Sequence, residues 1–189
     1  MNTSMQKFQT LTEEAFAFLE KSLGFKRHLV AEDLLRYETE DVFLVVSYDA
    51  RRSFELSLNL GQKNLSVERS FNFGEVLRSV KAPEDVPSSY QVTSEEALMP
   101  FLDKLAESLR RYGASLLQND AAAFARLSRL RERECDQYAL ERDLREARAE
   151  ADSAWRRKDY LAVVKALKPL RAALTAVEVG KLEFAEKHS

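Results

Sequence analysis

The chain has 189 residues, of which 45% are apolar and 32% are charged, so it can bury a core and a fully disordered chain is excluded. A single cysteine excludes an internal disulfide, and no apolar run reaches the roughly 18 residues of a transmembrane helix. The formal charge is −2: residues 1–120 carry 14 basic and 19 acidic side chains (net −5), and residues 121–189 carry 15 and 12 (net +3), so neither part has the basic character that nucleic-acid phosphates require.

The first predicted element is a helix over about residues 10–23. Thr10 and Glu13 have the spacing of a capping box, which marks a helix start, and an apolar stripe with helical periodicity follows them. Gly24 comes directly after this stripe, where glycine commonly ends a helix in the left-handed conformation. One amphipathic helix is therefore expected before the sheet.

Alternation of apolar and polar residues then predicts four strands, over residues 33–39, 42–48, 54–60 and 65–73. The second segment is apolar on both faces, as in a central strand that is covered on two sides. Because the connections between these segments are too short for parallel crossovers, we expect the strands to form an antiparallel meander. Residues 81–92, with two prolines and two serines, predict an exposed loop after the sheet.

A helix that runs to about residue 117 is predicted next, because Thr93 and Glu96 repeat the capping-box spacing. Pro100 is unfavourable inside a helix, so it either shifts the start of this helix or kinks it. The following segment begins with Asp120, a suitable N-cap, and contains neither glycine nor proline from residue 121 to 158. It forms either one long helix or two, because its apolar stripe is interrupted near residues 131–139.

Two further helices are predicted after a turn at residues 158–159. Pro169 ends the first, and Thr175 with Glu178 forms a capping box for the second. The expected fold class is α+β, with an N-terminal helix, a four-stranded antiparallel meander, and a C-terminal region of one long helix plus a helical hairpin. Two domains are predicted, residues 1–118 with the sheet and residues 119–189 with the helices.

The C-terminal hairpin has a recognisable pattern, AxxAWRRKDYLxVVxxLxPL, from Ala151 to Leu170. Small residues in the first helix, an aromatic residue before the second and a proline after it resemble a helix pair of tetratricopeptide type. The resemblance implies two antiparallel helices here. Since one such pair cannot bury its own apolar face, the N-terminal sheet would have to supply the missing packing neighbour.

The first 80 residues resemble small bacterial proteins, some of them of the immunity-protein type. The stretches that carry this resemblance are LLRYETEDVFLVVSYDARRSFELSLNLG and SFNFGEVLRSV. An immunity protein acts by occluding another protein, so the resemblance implies a protein partner. It brings no catalytic motif with it, and hence no catalytic residue.

Few residues offer chemistry of their own. His28 is expected in a surface loop, His188 lies next to the last residue, and Cys135 lies in a polar stretch without a nearby base. Glu55 and Glu68 stand on polar faces of adjacent predicted strands, where paired carboxylates either bind a divalent cation, act as acid and base, or form a solvated surface. No catalytic, cofactor-binding or metal-ligating residue is assigned.

Two groups of residues have the composition of protein-interaction anchors, which favour tryptophan, tyrosine and arginine. One is a pair of arginines in a tight turn beside a tyrosine; the alternative there is an ordinary polar hairpin. The other surrounds the only tryptophan, where the alternative is aromatic packing that locks the helical hairpin. The candidate partner-binding residues are Tyr48, Arg51, Arg52, Trp155, Arg156 and Tyr160.

These observations favour a non-catalytic protein-binding module, of immunity or adaptor type, that occludes a partner protein. One alternative is an enzyme that uses carboxylates, with or without a metal, on the polar face of the sheet. A second is a helical oligomerisation unit, in which residues 121–158 associate with a second copy. We expect no cofactor, no nucleic-acid or membrane partner, and a cytoplasmic location, because the N-terminus lacks the basic and apolar regions of a secretory signal.

Overall fold

A computed structural model describes residues 3–63 and 69–189. The fold class is α+β, as predicted, with N-terminal helices, an antiparallel sheet, and then a long helix and further helices. The chain divides into two compact units, Met1–Arg131 and Glu132–Ser189. The predicted domain boundary between residues 118 and 119 stays a prediction.

Two short helices open the first unit, α1 (Thr3–Ala15) and α2 (Ala17–Leu23). The prediction of a single helix over residues 10–23 is therefore wrong in its start and in its continuity, because Phe16 interrupts it with φ −101° and ψ 12°. Thr10 and Glu13 lie inside α1, so they do not cap it. Gly24 ends α2 as predicted, with a φ of 71° that a residue bearing a Cβ adopts at a cost.

The described residues form one sheet of six strands, and every pairing is antiparallel. Five strands follow one another as a meander, and the sixth pairs with the fourth beside the fifth. The strands are β1 (Lys26–Ala31), β2 (Leu34–Glu38), β3 (Val42–Tyr48), β4 (Glu55–Gln62), β5 (Arg69–Asn72) and β6 (Ser89–Gln91).

The antiparallel meander is confirmed, but the number of four strands is wrong. The sequence analysis missed β1 because all six of its residues are exposed and show no burial pattern to detect. It missed β6 because that strand has three residues and lies within the predicted loop 81–92. Of the predicted strand 65–73, residues 65–68 lie outside the described residues, and β5 is the described part.

One face of the sheet forms the core of the first unit. Alternate residues of the central strands are buried on it, and α1 covers them: the Tyr37 hydroxyl donates to the backbone oxygen of Thr12 at 3.4 Å, and the Phe8 and Tyr48 rings lie 5.8 Å apart. Burial of these side chains stabilises the unit through the hydrophobic effect. The buried strand residues on this face include Leu35, Tyr37, Leu44, Val46, Tyr48, Leu56, Leu58 and Leu60.

The opposite face carries polar side chains together with three apolar ones, Leu34, Phe43 and Val45, of which Phe43 is 3% exposed. The guanidinium of Arg36 lies 4.3 Å from the centroid of the Phe43 ring. On the other side, a Cβ at Gly61 would lie 2.7 Å from this ring and 2.2 Å from the backbone oxygen of Arg69. Gly61 is therefore required by the close approach of both a side chain and a backbone.

Four helices follow the sheet strands: α3 (Phe73–Ser79), α4 (Leu98–Tyr112), α5 (Ala114–Leu117) and α6 (Ala121–Arg156). The predicted cap at Thr93 and Glu96 is wrong, because a 3₁₀ turn over Glu95–Ala97 precedes α4. That turn shifts the start of α4 so that Pro100 falls in its first turn, where proline is tolerated.

The segment after Asp120 is one helix, which decides between the two alternatives for residues 121–158. The Asp120 carboxylate accepts a hydrogen bond from the backbone N–H of Ala122 at 2.8 Å and so caps α6 as predicted. The first part of α6 joins the core of the first unit through Phe124, whose ring lies 6.4 Å from that of Phe71. No helix among the described residues is long and apolar enough to cross a bilayer.

The second unit contains the end of α6, α7 (Tyr160–Leu167), a 3₁₀ segment (Lys168–Ala173) and α8 (Ala176–His188). Pro169 stops α7 as predicted, and Thr175 and Glu178 form the predicted capping box of α8. These helices bury a core of their own. It consists of Ala151, Ala154, Val163, Ala166, Leu167, Leu182 and Ala185.

A buried carboxylate ties α3 to α6 within the first unit. Glu75 is 6% exposed and exchanges hydrogen bonds with Asn72 in a capping box. Arg131 donates to both Glu75 carboxylate oxygens, at 2.6 and 2.7 Å, and to the backbone oxygen of Ser70 at 2.7 Å. Burial raises the pKa of Glu75, but the hydrogen bonds from Arg131 and Asn72 outweigh it and hold the pKa below its ordinary value.

We predict that Glu75→Ala lowers the free energy of unfolding by about 2 kcal/mol, because it removes a helix cap and leaves the Arg131 guanidinium without its carboxylate. Since the pKa is depressed in the folded state, the stabilisation is present above the ordinary glutamate value of about 4.3 and is lost as the pH falls below it. Denaturant unfolding at pH 7 and at pH 3 measures both effects. Glu55→Ala, at an exposed strand position, is the control. A loss at pH 7 no larger in Glu75→Ala than in this control contradicts the prediction.

Candidate protein-interaction surface

Four aromatic rings meet on the surface of the second unit. Trp155 stands near the end of α6, Tyr160 begins α7, and Phe184 and His188 lie in the last two turns of α8. We call these four residues the aromatic surface. Two of them, Trp155 and Tyr160, are candidate partner-binding residues from the sequence, and the structure brings them together with their ring centroids 5.5 Å apart.

Edge-to-face contacts organise the aromatic surface. The Phe184 ring lies 5.4 Å from Trp155 and 5.6 Å from Tyr160, within the distance range that favours tilted and T-shaped aromatic pairs. The His188 ring stacks on Phe184 at 4.0 Å, and its Nδ1 donates to the backbone oxygen of Phe184 at 2.7 Å. Each ring thus has at least one aromatic neighbour that restricts its orientation.

The turn between α6 and α7 places Trp155 beside Tyr160. Lys158 adopts a φ of 58°, and the backbone N–H of Asp159 donates to the backbone oxygen of Ala154 at 3.0 Å, which reverses the chain. The Asp159 carboxylate then caps α7 by accepting from the backbone N–H of Ala162. This is the turn that the sequence predicts at residues 158–159, and the hairpin geometry follows from it.

The rings are only partly buried. Phe184 is 42% exposed, and Trp155 and Tyr160 are half-buried. On α8, Val177, Lys181, Phe184 and His188 recur at spacings of four, three and four residues, so they share one face of the helix. Val177 is 83% exposed, and that face therefore presents apolar groups to solvent.

Charged groups flank the aromatic surface and connect α8 to α6. The Lys181 ammonium lies 5.1 Å from the Trp155 ring centroid and pairs with Asp152 at 2.6 Å. The hydrogen bond from Lys181 lowers the pKa of Asp152. One helical turn earlier, Arg148 donates to both carboxylate oxygens of Glu178, at 2.5 and 3.2 Å. These two bridges hold α8 in the position that aligns its rings with Trp155.

Arg156, the third predicted residue of this group, is exposed and makes no ring contact within the described part of the chain. The sequence analysis missed Phe184 and His188. The signal that could have found them is the spacing of apolar and aromatic residues along the last helix, which places Val177, Phe184 and His188 on the face of Lys181.

The other candidate residues lie at the turn between β3 and β4 of the first unit. Tyr48 is 4% exposed, and its hydroxyl donates to the backbone oxygen of Val92 at 2.6 Å, so its ring belongs to the core and, contrary to the prediction, offers no surface to a partner. Arg51 and Arg52 are exposed. Their backbone N–H groups both donate to one oxygen of Asp49 at 3.1 Å, which fixes the turn.

A cavity of about 310 Å³ opens beside this turn. The tips of two hairpins and one ring of α1 form it, and the backbone N–H of Tyr48 donates to the backbone oxygen of Asp33 at 3.0 Å to join the two tips. Backbone hydrogen bonds from Ser53 and Arg51 lower the pKa of Asp49, whose oxygens are engaged within the turn. The residues lining the cavity include Phe8, Glu32, Asp33, Asp49, Ala50 and Arg51.

A second cavity, of about 520 Å³, lies on the polar face of the sheet around Glu38. The Glu38 carboxylate receives Lys63 at 3.0 Å and Arg36 at 2.8 Å, and His28 lies 3.5 Å away. The hydrogen bond from Lys63 lowers the pKa of Glu38. The cations are thus already paired with a carboxylate of the same chain, and the cluster supports the sheet. Contrary to the prediction, His28 lies within β1 and not in a loop.

The remaining candidates for chemistry are scattered. Cys135 is exposed on α6. Glu55 is exposed on β4, and Glu68, its proposed partner, lies outside the described residues. Over residues 3–63 and 69–189, no three His, Cys, Asp or Glu side chains are grouped so that they could hold a metal ion.

Comparison with protein-family models, with curated proteins and with solved structures found no match to this chain. The resemblances to tetratricopeptide helix pairs and to immunity-type proteins therefore stay predictions. In the core of the second unit, the neighbour that packs on α6 and α7 is α8, through Leu182 and Ala185, and not the sheet that we expected.

The link between α6 and α8 gives a titration prediction. The hydrogen bond from Arg148 and those from Thr175 lower the pKa of Glu178 to about 2. We expect NMR titration of the Glu178 carboxyl carbon to report this value, and Arg148→Ala to move the pKa back toward the ordinary one. Because the folded-state pKa is depressed, the bridge stabilises α8 above pH ~4.3 and its contribution disappears as the pH falls to about 2.

Arg145→Ala is the matched control for this titration. Arg145 lies one turn earlier on α6, is exposed, and makes no ion pair within residues 3–63 and 69–189. It should leave the Glu178 titration unchanged. A Glu178 pKa near 4 in the unmodified protein, or equal shifts in both variants, contradicts the assignment.

Proposed function

We propose that the protein is a protein-binding module whose second unit contacts its partner through the aromatic surface. The observation that carries the proposal is the cluster of partly exposed, mutually packed rings of Trp155, Tyr160 and Phe184. Aromatic residues of this kind account for much of the binding energy in protein interfaces, because each buries a large apolar area at a small cost in conformational entropy.

The arrangement of the rings supports the proposal in a second way. Packing between neighbours already restricts the side-chain torsions of Trp155, Tyr160 and Phe184, so less freedom remains to be lost on binding. An isolated exposed ring pays that cost in full. The Phe184 ring has Trp155, Tyr160 and His188 around it and still exposes 42% of its area, which leaves a pre-arranged apolar area for a partner.

The charges around the rings indicate the character of the partner. Arg156 and Arg157 are exposed and follow Trp155 at the end of α6, whereas Lys181 lies against Trp155 and is already paired with Asp152. A partner with an apolar projection surrounded by carboxylates fits a ring of aromatic groups bordered by cations. With this surface, the protein described here acts in the cytoplasm as an adaptor or as an immunity-type inhibitor, by covering a surface of its partner.

The test compares two substitutions of exposed aromatic residues in the second unit. We expect Phe184→Asp to reduce retention of the native partner at least tenfold in quantitative affinity purification from the source cell, because it places a charge among the rings. Tyr138→Asp is the matched control, since Tyr138 is 67% exposed on α6 and belongs to no aromatic pair among the described residues. It should leave retention unchanged.

Three outcomes contradict the proposal. The first is recovery of the protein alone, with no partner present in stoichiometric amount. The second is retention of the partner by both variants as well as by the unmodified chain, which places the binding surface elsewhere. The third is equal loss of the partner in both variants while they remain folded by circular dichroism, which points to the long helix α6 as the binding element.

A further inference from the structure

The first strand of the sheet has a free edge. Within the part of the chain that the structure describes, β1 pairs on one side alone, with β2, and all six of its residues are exposed. Leu29 is 63% exposed and Val30 59%, so two large apolar side chains stand next to each other at this edge. An open edge with apolar side chains is a template on which another strand can pair.

The charges at the two ends of β1 have opposite sign. Lys26, Arg27 and His28 begin the strand, and Glu32 and Asp33 follow its end. Arg27 is held at 2.6 Å by Glu13 of α1, whereas Lys26 and the Glu32 carboxylate have no ion-pair partner among the described residues. A strand that is basic at its start and acidic after its end is complementary to a second copy of itself in the antiparallel direction.

We propose that the protein forms a two-fold symmetric homodimer in which β1 of one copy pairs antiparallel with β1 of the other. In this register Leu29 lies opposite Leu29 of the second copy, His28 lies opposite its Val30, and Lys26 lies opposite the turn that carries its Glu32. The two six-stranded sheets then continue as one. This inference is independent of the aromatic surface and of the function proposed for it.

The register follows from which side chains share a face. Arg27 contacts α1, and Leu29 is paired with the buried Leu35, so both lie on the helix-covered side of the sheet. Directly opposed residues in an antiparallel pair lie on the same side, so only alternate registers keep the helices of both copies on one side. The register centred on Leu29 does so. It places Leu29 at the symmetry axis and brings the ammonium of Lys26 near the turn that carries Glu32 of the other copy, once at each end of the paired strands.

The neighbouring registers fit less well. All three registers run through the bulge between Leu29 and Ala31. The register centred on His28 opposes two histidines and places Lys26 opposite Val30, and the one centred on Val30 places Lys26 opposite Leu34. Bulges and edge cations discourage indiscriminate strand pairing. In a second copy, the carboxylates that follow β1 lie opposite the cations that begin it. An arbitrary strand does not have this arrangement of charges.

The experiment measures the mass of the full chain in solution by analytical ultracentrifugation over a wide concentration range. We expect a concentration-dependent dimer. Lys26→Glu and Glu32→Lys should each weaken dimerisation by roughly tenfold, since each places two like-charged pairs across the interface. The double substitution restores opposite charges in the same register and should recover most of the affinity. Leu29→Glu should give a monomer, and because Leu29 is exposed this variant keeps its fold.

Two further variants, Phe184→Asp and Tyr138→Glu, distinguish this interface from the aromatic surface and from α6. Both should leave the dimer intact. A chain that is monomeric at every concentration overturns the proposal, and so does a dimer that survives Leu29→Glu. A double variant as weak as the two single variants overturns the register, and loss of the dimer in Tyr138→Glu transfers self-association to α6.

Discussion

The apolar face of the antiparallel sheet is the constraint from which the first unit follows. Side chains alternate along β2, β3 and β4, so every second residue lies on the same side of the sheet and must be buried there. The helices α1 and α4 cover that side, and Phe8 and Leu102 join it in one continuous core. The other face carries more polar side chains, and its buried ring, Phe43, is enclosed by Arg36 and Gly61. β1 lies at the edge of this arrangement, where all of its residues stay exposed.

In the second unit, helices alone bury the apolar side chains. Ala151 and Ala154 are small enough to let α7 and α8 pack closely on the end of α6, and Leu182 fills the space between them. The aromatic rings pack on the outer side of these helices, where they are partly exposed to solvent. Salt bridges from α6 to Glu178 and Lys181 hold α8 in register with Trp155. The surface proposed for a partner is therefore rigid before binding.

The sequence predicts those parts of the fold that local signals determine. The antiparallel meander follows from alternation and short connections, and the caps at Asp120 and Thr175 follow from side chains that can bond only to nearby N–H groups. β1 could not be predicted, because an exposed edge strand lacks a burial pattern and is defined by its pairing with β2. The break at Phe16 and the burial of Tyr48 arise from tertiary packing. Of the aromatic surface, Trp155 and Tyr160 are close in sequence and are predicted as a pair. The spacing along α8 places Phe184 on the face of Lys181, but its contact with the other two rings arises only when α8 packs on α6 and α7.

A partner that covers the aromatic surface must change the environment of Trp155. Trp155 is the only tryptophan, so protein labelled with 5-fluorotryptophan gives one fluorine resonance in the free state. In the purified complex with an unlabelled partner, we expect this resonance to be shifted and broadened, and its position to respond less to a change of solvent. A resonance that keeps its free position and solvent response in a fully formed complex contradicts it.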